Sequence, residues 1–125
     1  MYQDAVYRYA NQLHMDGKSY EALPYYRKIL DYKDVTSYRL TRRPFLVLGN
    51  WESVQGTKMT FREDGTCAID GRELYFSVRN NLITIGDRQD ELTDRYIILV
   101  LNEDTFNLRR ESPRTTYKMS KVEVP

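Results

Sequence analysis

The segment VLGNWESVQGTKMTFREDGT, residues 47–66, decides the fold. Within it Met59 and Phe61 alternate with Lys58, Thr60 and Arg62, a period of two that puts apolar side chains on one face of a strand and polar ones on the other. Asp64-Gly65 follows, a pair that tolerates positive φ and so favours a tight hairpin. The alternation continues through Cys67 and Ile69, then Leu74, Phe76 and Val78, then Ile83 and Ile85, Phe106 and Leu108, and Tyr117 and Met119. Asp70-Gly71 and Asn80-Asn81 are further turn pairs. With the strand of Trp51 and the run Tyr96 to Leu101, eight short strands follow one another in chain order. Such a meander closes into a barrel or a strongly curled sheet, because closure removes exposed edges.

Upstream of this region the period changes. Tyr2, Ala5, Val6, Tyr9, Ala10 and Leu13 recur at three and four residues, one stripe along a first helix that Gly17 ends. Ala22, Tyr26, Ile29 and Leu30 repeat the spacing, with Ser19 as an N-cap candidate. Pro24 interrupts that second helix and predicts that it starts near Leu23, since a proline beyond the first turn costs about 3 kcal/mol. Asp34 is placed to cap a third helix through Tyr38 and Leu40, ending before Pro44. The expected fold class is α+β: a helical hairpin over residues 1–44, packed on an eight-stranded antiparallel up-and-down barrel or curled sheet over residues 45–125.

The run RYIILVLN, residues 95–102, is apolar on both faces. Regular alternation puts Ile97, Leu99 and Leu101 towards the core and Tyr96, Ile98 and Val100 outward, where the hairpin is expected to dock. The alternative use of that outer face is an oligomer interface.

Two resemblances attach to these residues. Ala10, Leu13, Gly17, Ala22, Tyr26 and Ile29 resemble one tetratricopeptide-like helical hairpin, and EALPYYRKILDYKD is similar to helical repeats of bacterial cell-envelope proteins. One such unit cannot stack into an array and needs a partner surface elsewhere. GNWES, FREDGTC, FSVRNNLITI and TYKMSK, in that order over residues 48–121, resemble the lipocalin-like β domains of small bacterial proteins. The resemblance implies an eight-stranded up-and-down barrel. It also implies a barrel-end motif in which Gly49 leads into Trp51 at the closed end, covered by a basic side chain of the last strand, Lys118 or else Lys121.

A barrel of this size either fills with side chains or holds one small ligand. The inward set proposed from alternation is bulky: Trp51, Met59, Phe61, Ile69, Phe76, Ile83, Ile85, Leu99, Phe106, Leu108, Tyr117 and Met119. That bulk favours a filled core over a calyx.

The chain has 125 residues, 19 Lys and Arg against 18 Asp and Glu, and a net charge of +1, so no global field recruits nucleic acid or a membrane. Arg39, Arg42 and Arg43, with Arg109, Arg110 and Arg114, read as solvated faces. No apolar run approaches the ~20 residues of a membrane span, so no membrane insertion by this chain is expected. Location is left open: extracytoplasmic if the chain is part of a longer protein, otherwise cytoplasmic. Cys67 is the only cysteine and alternates like a buried core residue; His14 is the only histidine, on the polar side of the first helix. A Cys/His nucleophile pair or a zinc site of ordinary ligands needs more than these, and Asp87, Asp90, Glu91 and Asp94 lack the spacing of a calcium loop. No enzymatic activity, cofactor or metal is expected.

The tyrosines remain. Tyr2, Tyr7, Tyr9, Tyr20, Tyr25, Tyr26, Tyr32 and Tyr38 crowd the helical part. Tyr9 and Tyr26 fall on the core stripes, whereas Tyr7, Tyr32 and Tyr38 are free to form an interaction surface, since tyrosine supplies contact area at low entropic cost. The expected function is a non-enzymatic interaction or accessory module with an unidentified protein partner, as part of a bacterial cell-envelope protein. The alternative is a small hydrophobic ligand held in the barrel.

Overall fold

A computed structural model describes residues 2–122. The chain divides into two compact units, Met1–Phe45 and Leu46–Pro125, one helical and one built of strands. The fold class is α+β.

In the first unit α1 spans Tyr2–Met15 and α2 spans Ser19–Arg27. The two helices pack on each other, and Ala10, Leu13, Ala22, Leu23 and Tyr26 are buried, with Ala10 and Ala22 wholly so. Tyr26 donates its hydroxyl to Asn11 Oδ1 at 2.5 Å, so the polar tip of a buried ring is satisfied. Pro24 lies inside α2, and the helix begins at Ser19 rather than near Leu23. The exposed proline removes one main-chain donor, and Ala22, Leu23 and Tyr26 bury enough apolar surface on either side to hold the helix through it. The expected third helix is absent: residues after Leu30 form successive turns, a 3-10 turn at Arg39–Thr41 and a single helical turn α3 at Arg43–Leu46. Pro44 sits in the first turn of α3, where its missing N–H is harmless.

The second unit is a closed antiparallel barrel with strand order β1 to β8. The strands are β1 Gly49–Ser53, β2 Lys58–Phe61, β3 Thr66–Ile69, β4 Arg72–Arg79, β5 Leu82–Gly86, β6 Asp94–Leu101, β7 Thr105–Glu111 and β8 Arg114–Val122. Each pairs with its sequence neighbour, and β1 closes on β8 with Trp51 opposite Lys121 and Ser53 opposite Met119. The β3–β4 turn is Asp70-Gly71, both at positive φ (50° and 85°), which matches the right-handed twist of the strands it joins.

The interior carries Trp51, Met59, Phe61, Ile83, Ile85, Phe106, Leu108 and Met119, each 2% exposed or less. Phe61 of β2 touches Phe76 of β4 and Phe106 of β7, at ring-centroid distances of 5.0 and 5.9 Å, and Phe106 meets Trp51 of β1 edge-on at 5.1 Å. None of these strand pairs is adjacent in the sheet. Rings that meet across a closed barrel occupy its interior at that level.

Strand β6 reverses the assignment made from alternation. Tyr96 and Ile98 face inward, 3% and 8% exposed, whereas Leu99 and Val100 are exposed at 45% and 43%. The register against β7 runs Ile98 to Leu108 and then Val100 to Asn107, so Leu99 is a bulge residue with no partner. One inserted residue shifts the phase, and Leu101 returns opposite the inward Phe106. The two-faced apolar look of this run is the mark of that bulge.

Candidate functional site

Three places bring chemistry-bearing side chains together, and the first is the barrel end at Gly49. Trp51 donates its indole N–H to the Val47 carbonyl at 2.9 Å. Lys121 donates to the Leu48 carbonyl at 2.7 Å, with its ammonium 4.5 Å from the centre of the Trp51 ring. The two side chains thus pin residues 47 and 48 across the barrel end, a cation–π contact adding ~0.5–1 kcal/mol if exposed. Partial desolvation of the ammonium lowers the Lys121 pKa below its ordinary value, since burial disfavours the charged form. Gly49 has φ +120°, a backbone that demands glycine, and a Cβ there would lie 2.5 Å from Lys121 Nζ and displace the end of that side chain. Lys118 does not contribute: it is exposed, on the face of β8 opposite the buried Met119.

At the other end of the barrel Arg110 grips Asp94, Nη2 to Oδ2 at 2.8 Å and Nε to Oδ1 at 3.1 Å. The guanidinium also lies 5.9 Å from the centre of the buried Tyr96 ring, which in turn sits 6.3 Å from Tyr117. Burial, then the Asp94 carboxylate, raises the Tyr96 pKa, and the hydroxyl stays protonated. The loop beside this cluster packs tightly, because a Cβ on Gly86 would run into the Glu91 carbonyl oxygen. Asp94 is therefore committed to Arg110, and Arg88 accompanies Asp90 at 3.8 Å. Among the described residues no group of three or more His, Cys, Asp and Glu could hold a metal ion. Cys67 is wholly buried, and desolvation pushes its thiol up to about 12.

The helical unit holds the tyrosines. Tyr7, expected on a surface, is 9% exposed and donates to Asp34 Oδ1 at 2.5 Å while Arg39 donates to its hydroxyl. The Tyr7 hydrogen bond, with Arg39 beside it, holds the Asp34 carboxyl below its usual pKa. Tyr32 packs edge-on against Tyr7 at 5.5 Å and donates to Asp4, with Lys33 near both rings. Tyr38 is 46% exposed, with Arg39 and Arg42 near its ring at 5.5 and 5.1 Å. Tyr7 and Tyr32 come together, as a stay between α1 and the turns that follow α2, and Tyr38 joins them only through Arg39, which lies near the rings of both Tyr7 and Tyr38. Only Tyr38 offers much free surface.

The opposite correction applies to Tyr9, which lies outside the core at 52% exposed. It meets Tyr25 edge-on, with ring centroids 4.9 Å apart at 88°. The two walls belong to an open groove of about 420 Å³, lined also by Leu13, Glu21, Pro24 and Lys28. Sequence reasoning missed it, although Glu21, Pro24, Tyr25 and Lys28 stand at i, i+3, i+4 and i+7, one stripe along α2.

His14 is half-buried, stacked on Phe45 at 5.6 Å and hydrogen-bonded through Nδ1 to Ser19 Oγ at 2.8 Å, rather than on a polar face. Burial, then Arg42 and Arg39, lowers its pKa below the ordinary 6.5. The unfolded chain therefore binds this proton first, and the helical unit should lose stability as pH falls from about 6.5 towards the lowered value. Helix content followed by circular dichroism in mild denaturant between about pH 7 and 5 checks this. His14→Gln should flatten the profile in that window, and an unchanged slope would remove His14 as its source.

No family model, no curated protein and no solved structure matches this chain.

Proposed function

We propose that this chain is a non-enzymatic interaction module, with a lipocalin-like barrel as packed structural body and a tetratricopeptide-like hairpin that binds a protein partner. The observation that carries this reading is the groove between α1 and α2, where the exposed Tyr9 meets the half-buried Tyr25 edge-on beside Leu13. Aromatic anchors over an apolar floor are the features that concentrate binding energy in protein interfaces. The barrel favours a structural role, since its inward positions are bulky and rings from non-adjacent strands meet inside. Placement in a bacterial cell envelope rests on the resemblance of the helical segment alone.

The test is affinity capture from the source organism with the parent chain and with a Tyr9→Ala/Tyr25→Ala variant. A partner held by the parent and reduced roughly tenfold in the variant, with barrel melting unchanged, is the expected result. Identical capture by both would sink the assignment of the groove.

The second reading is a small hydrophobic ligand bound in the barrel. It is favoured by the closed eight-stranded form and by the polar cluster of Asp94, Tyr96 and Arg110 at one end. Stoichiometric uptake of a fluorescent fatty acid, with a change in the emission of Trp51, would support it over the first.

A further inference from the structure

The groove on the helical hairpin has a chemistry that selects among peptide ligands. Its wall along α2 runs from Glu21 to the C-cap Lys28, seven steps or about 10 Å of helix rise, too short to seat several turns of a partner helix. Its apolar surface is two tyrosine rings, the ring of Pro24 and the side chain of Leu13. The hydroxyls of Tyr9 and Tyr25 make no hydrogen bond among the described residues, so two donors of the lining residues stand unused. Glu21 is exposed and has neither a hydrogen bond nor an ion pair among the described residues, whereas the Lys28 ammonium is directed at the groove's own wall, 5.4 Å from the centre of the Tyr25 ring.

We propose that this groove binds an extended, proline-rich segment of a partner protein that carries a basic residue, with the prolines on Tyr9, Pro24 and Tyr25 and the basic side chain at Glu21. The inference rests on the reading of the chain as an interaction module and names the class of its partner. A polyproline II segment has bare carbonyls and no proline N–H, so it needs donors and offers none. Tyrosine hydroxyls meet that need, and proline rings pack onto exposed aromatic surface with little entropy left to lose. At about 3.1 Å per residue, three or four residues of such a segment span the groove. The unpaired Glu21 carboxylate sets the charge of the ligand, and one cation on the segment satisfies it.

The test uses the full chain, labelled with nitrogen-15 and titrated with three acetylated and amidated peptides. These are an octaproline ending in arginine, an octaproline ending in glutamate, and a glycine-serine repeat of equal length ending in arginine. The arginine-bearing proline peptide should shift resonances of residues around Tyr9 and Tyr25 and bind roughly tenfold tighter than either control. Glu21→Lys, a change at an exposed position, should reverse the preference between the arginine and glutamate peptides, and Tyr9→Ala should weaken binding roughly tenfold. Equal binding of the glycine-serine peptide, or an arginine preference that survives Glu21→Lys, overturns the proposal. So does a groove occupied by a second copy of this chain, seen as a concentration-dependent mass in sedimentation that Tyr9→Ala abolishes. A captured partner that depends on Tyr9 and Tyr25, together with no binding of the proline peptide, removes this inference and leaves the interaction reading standing. Loss of both removes both.

Discussion

Trp51→Ala should cost the barrel about 3–5 kcal/mol, the largest effect expected from any single truncation in the chain. The indole is 1% exposed, meets Phe106 edge-on, and holds Val47 through its N–H. Removing it opens a cavity at the level where the interior rings meet, leaves the Val47 carbonyl without its donor, and takes the ring from beneath Lys121. For a unit of this size ~1 kcal/mol corresponds to about 4–8 °C, so the melting midpoint of the β signal should fall by well over ~10 °C. Trp51→Phe separates the causes: the ring contact with Phe106 remains while the hydrogen bond is lost, and a cost of about 1–3 kcal/mol is expected. A midpoint for Trp51→Ala within a few degrees of the parent would mean that the barrel end is not held in this way.

A pair of neighbouring substitutions tests the bulge in β6. Ile98→Asp puts a carboxylate on the inward face, beside Tyr96 and opposite Leu108, and should destabilise the barrel by at least about 3 kcal/mol or prevent folding. Leu99→Asp adds the same charge one residue later, at an exposed position, and should stay within about 1 kcal/mol of the parent. Both are read from urea unfolding, with Ile98→Val as the mild control at about 0.5–1.5 kcal/mol. Equal tolerance of the two aspartates, or a more severe effect at Leu99, would restore unbroken alternation along this strand.

These two experiments mark where the sequence was and was not legible. The turns at Asp64-Gly65, Asp70-Gly71 and Asn80-Asn81 show in the sequence because they depend on what two adjacent residues can adopt locally, and all three join strands in the structure. The bulge at Leu99 is not local: its position is set by which residue of β7 each residue of β6 meets, and five apolar residues from Ile97 to Leu101 look the same under either phase. The helical stripes hold at Ala10, Leu13, Ala22, Tyr26 and Ile29 and fail at Tyr9. Tyr9 and Ala10 are adjacent and both fit a spacing of three and four, but the buried face runs through Tyr7, Ala10 and Leu13, which leaves Tyr9 outward. Lys121 was legible in principle, since Met119 points inward and only every second residue of a strand shares its face. The groove was legible only on its α2 side, because Tyr9 and Leu13 reach Tyr25 only once the hairpin has closed.

The strand order also bears on how the barrel assembles. Seven of the eight pairings join strands that are neighbours in sequence, and each can form as soon as its own turn is made. The remaining one brings Asn50 to Val122 and bears nearly all the loop-closure entropy of the topology. Short-range pairing makes the search fast, while the single long-range seam is the natural last event. Trp51 and Lys121 lie opposite each other on that seam, so their contacts hold together the one pairing that no local turn supports.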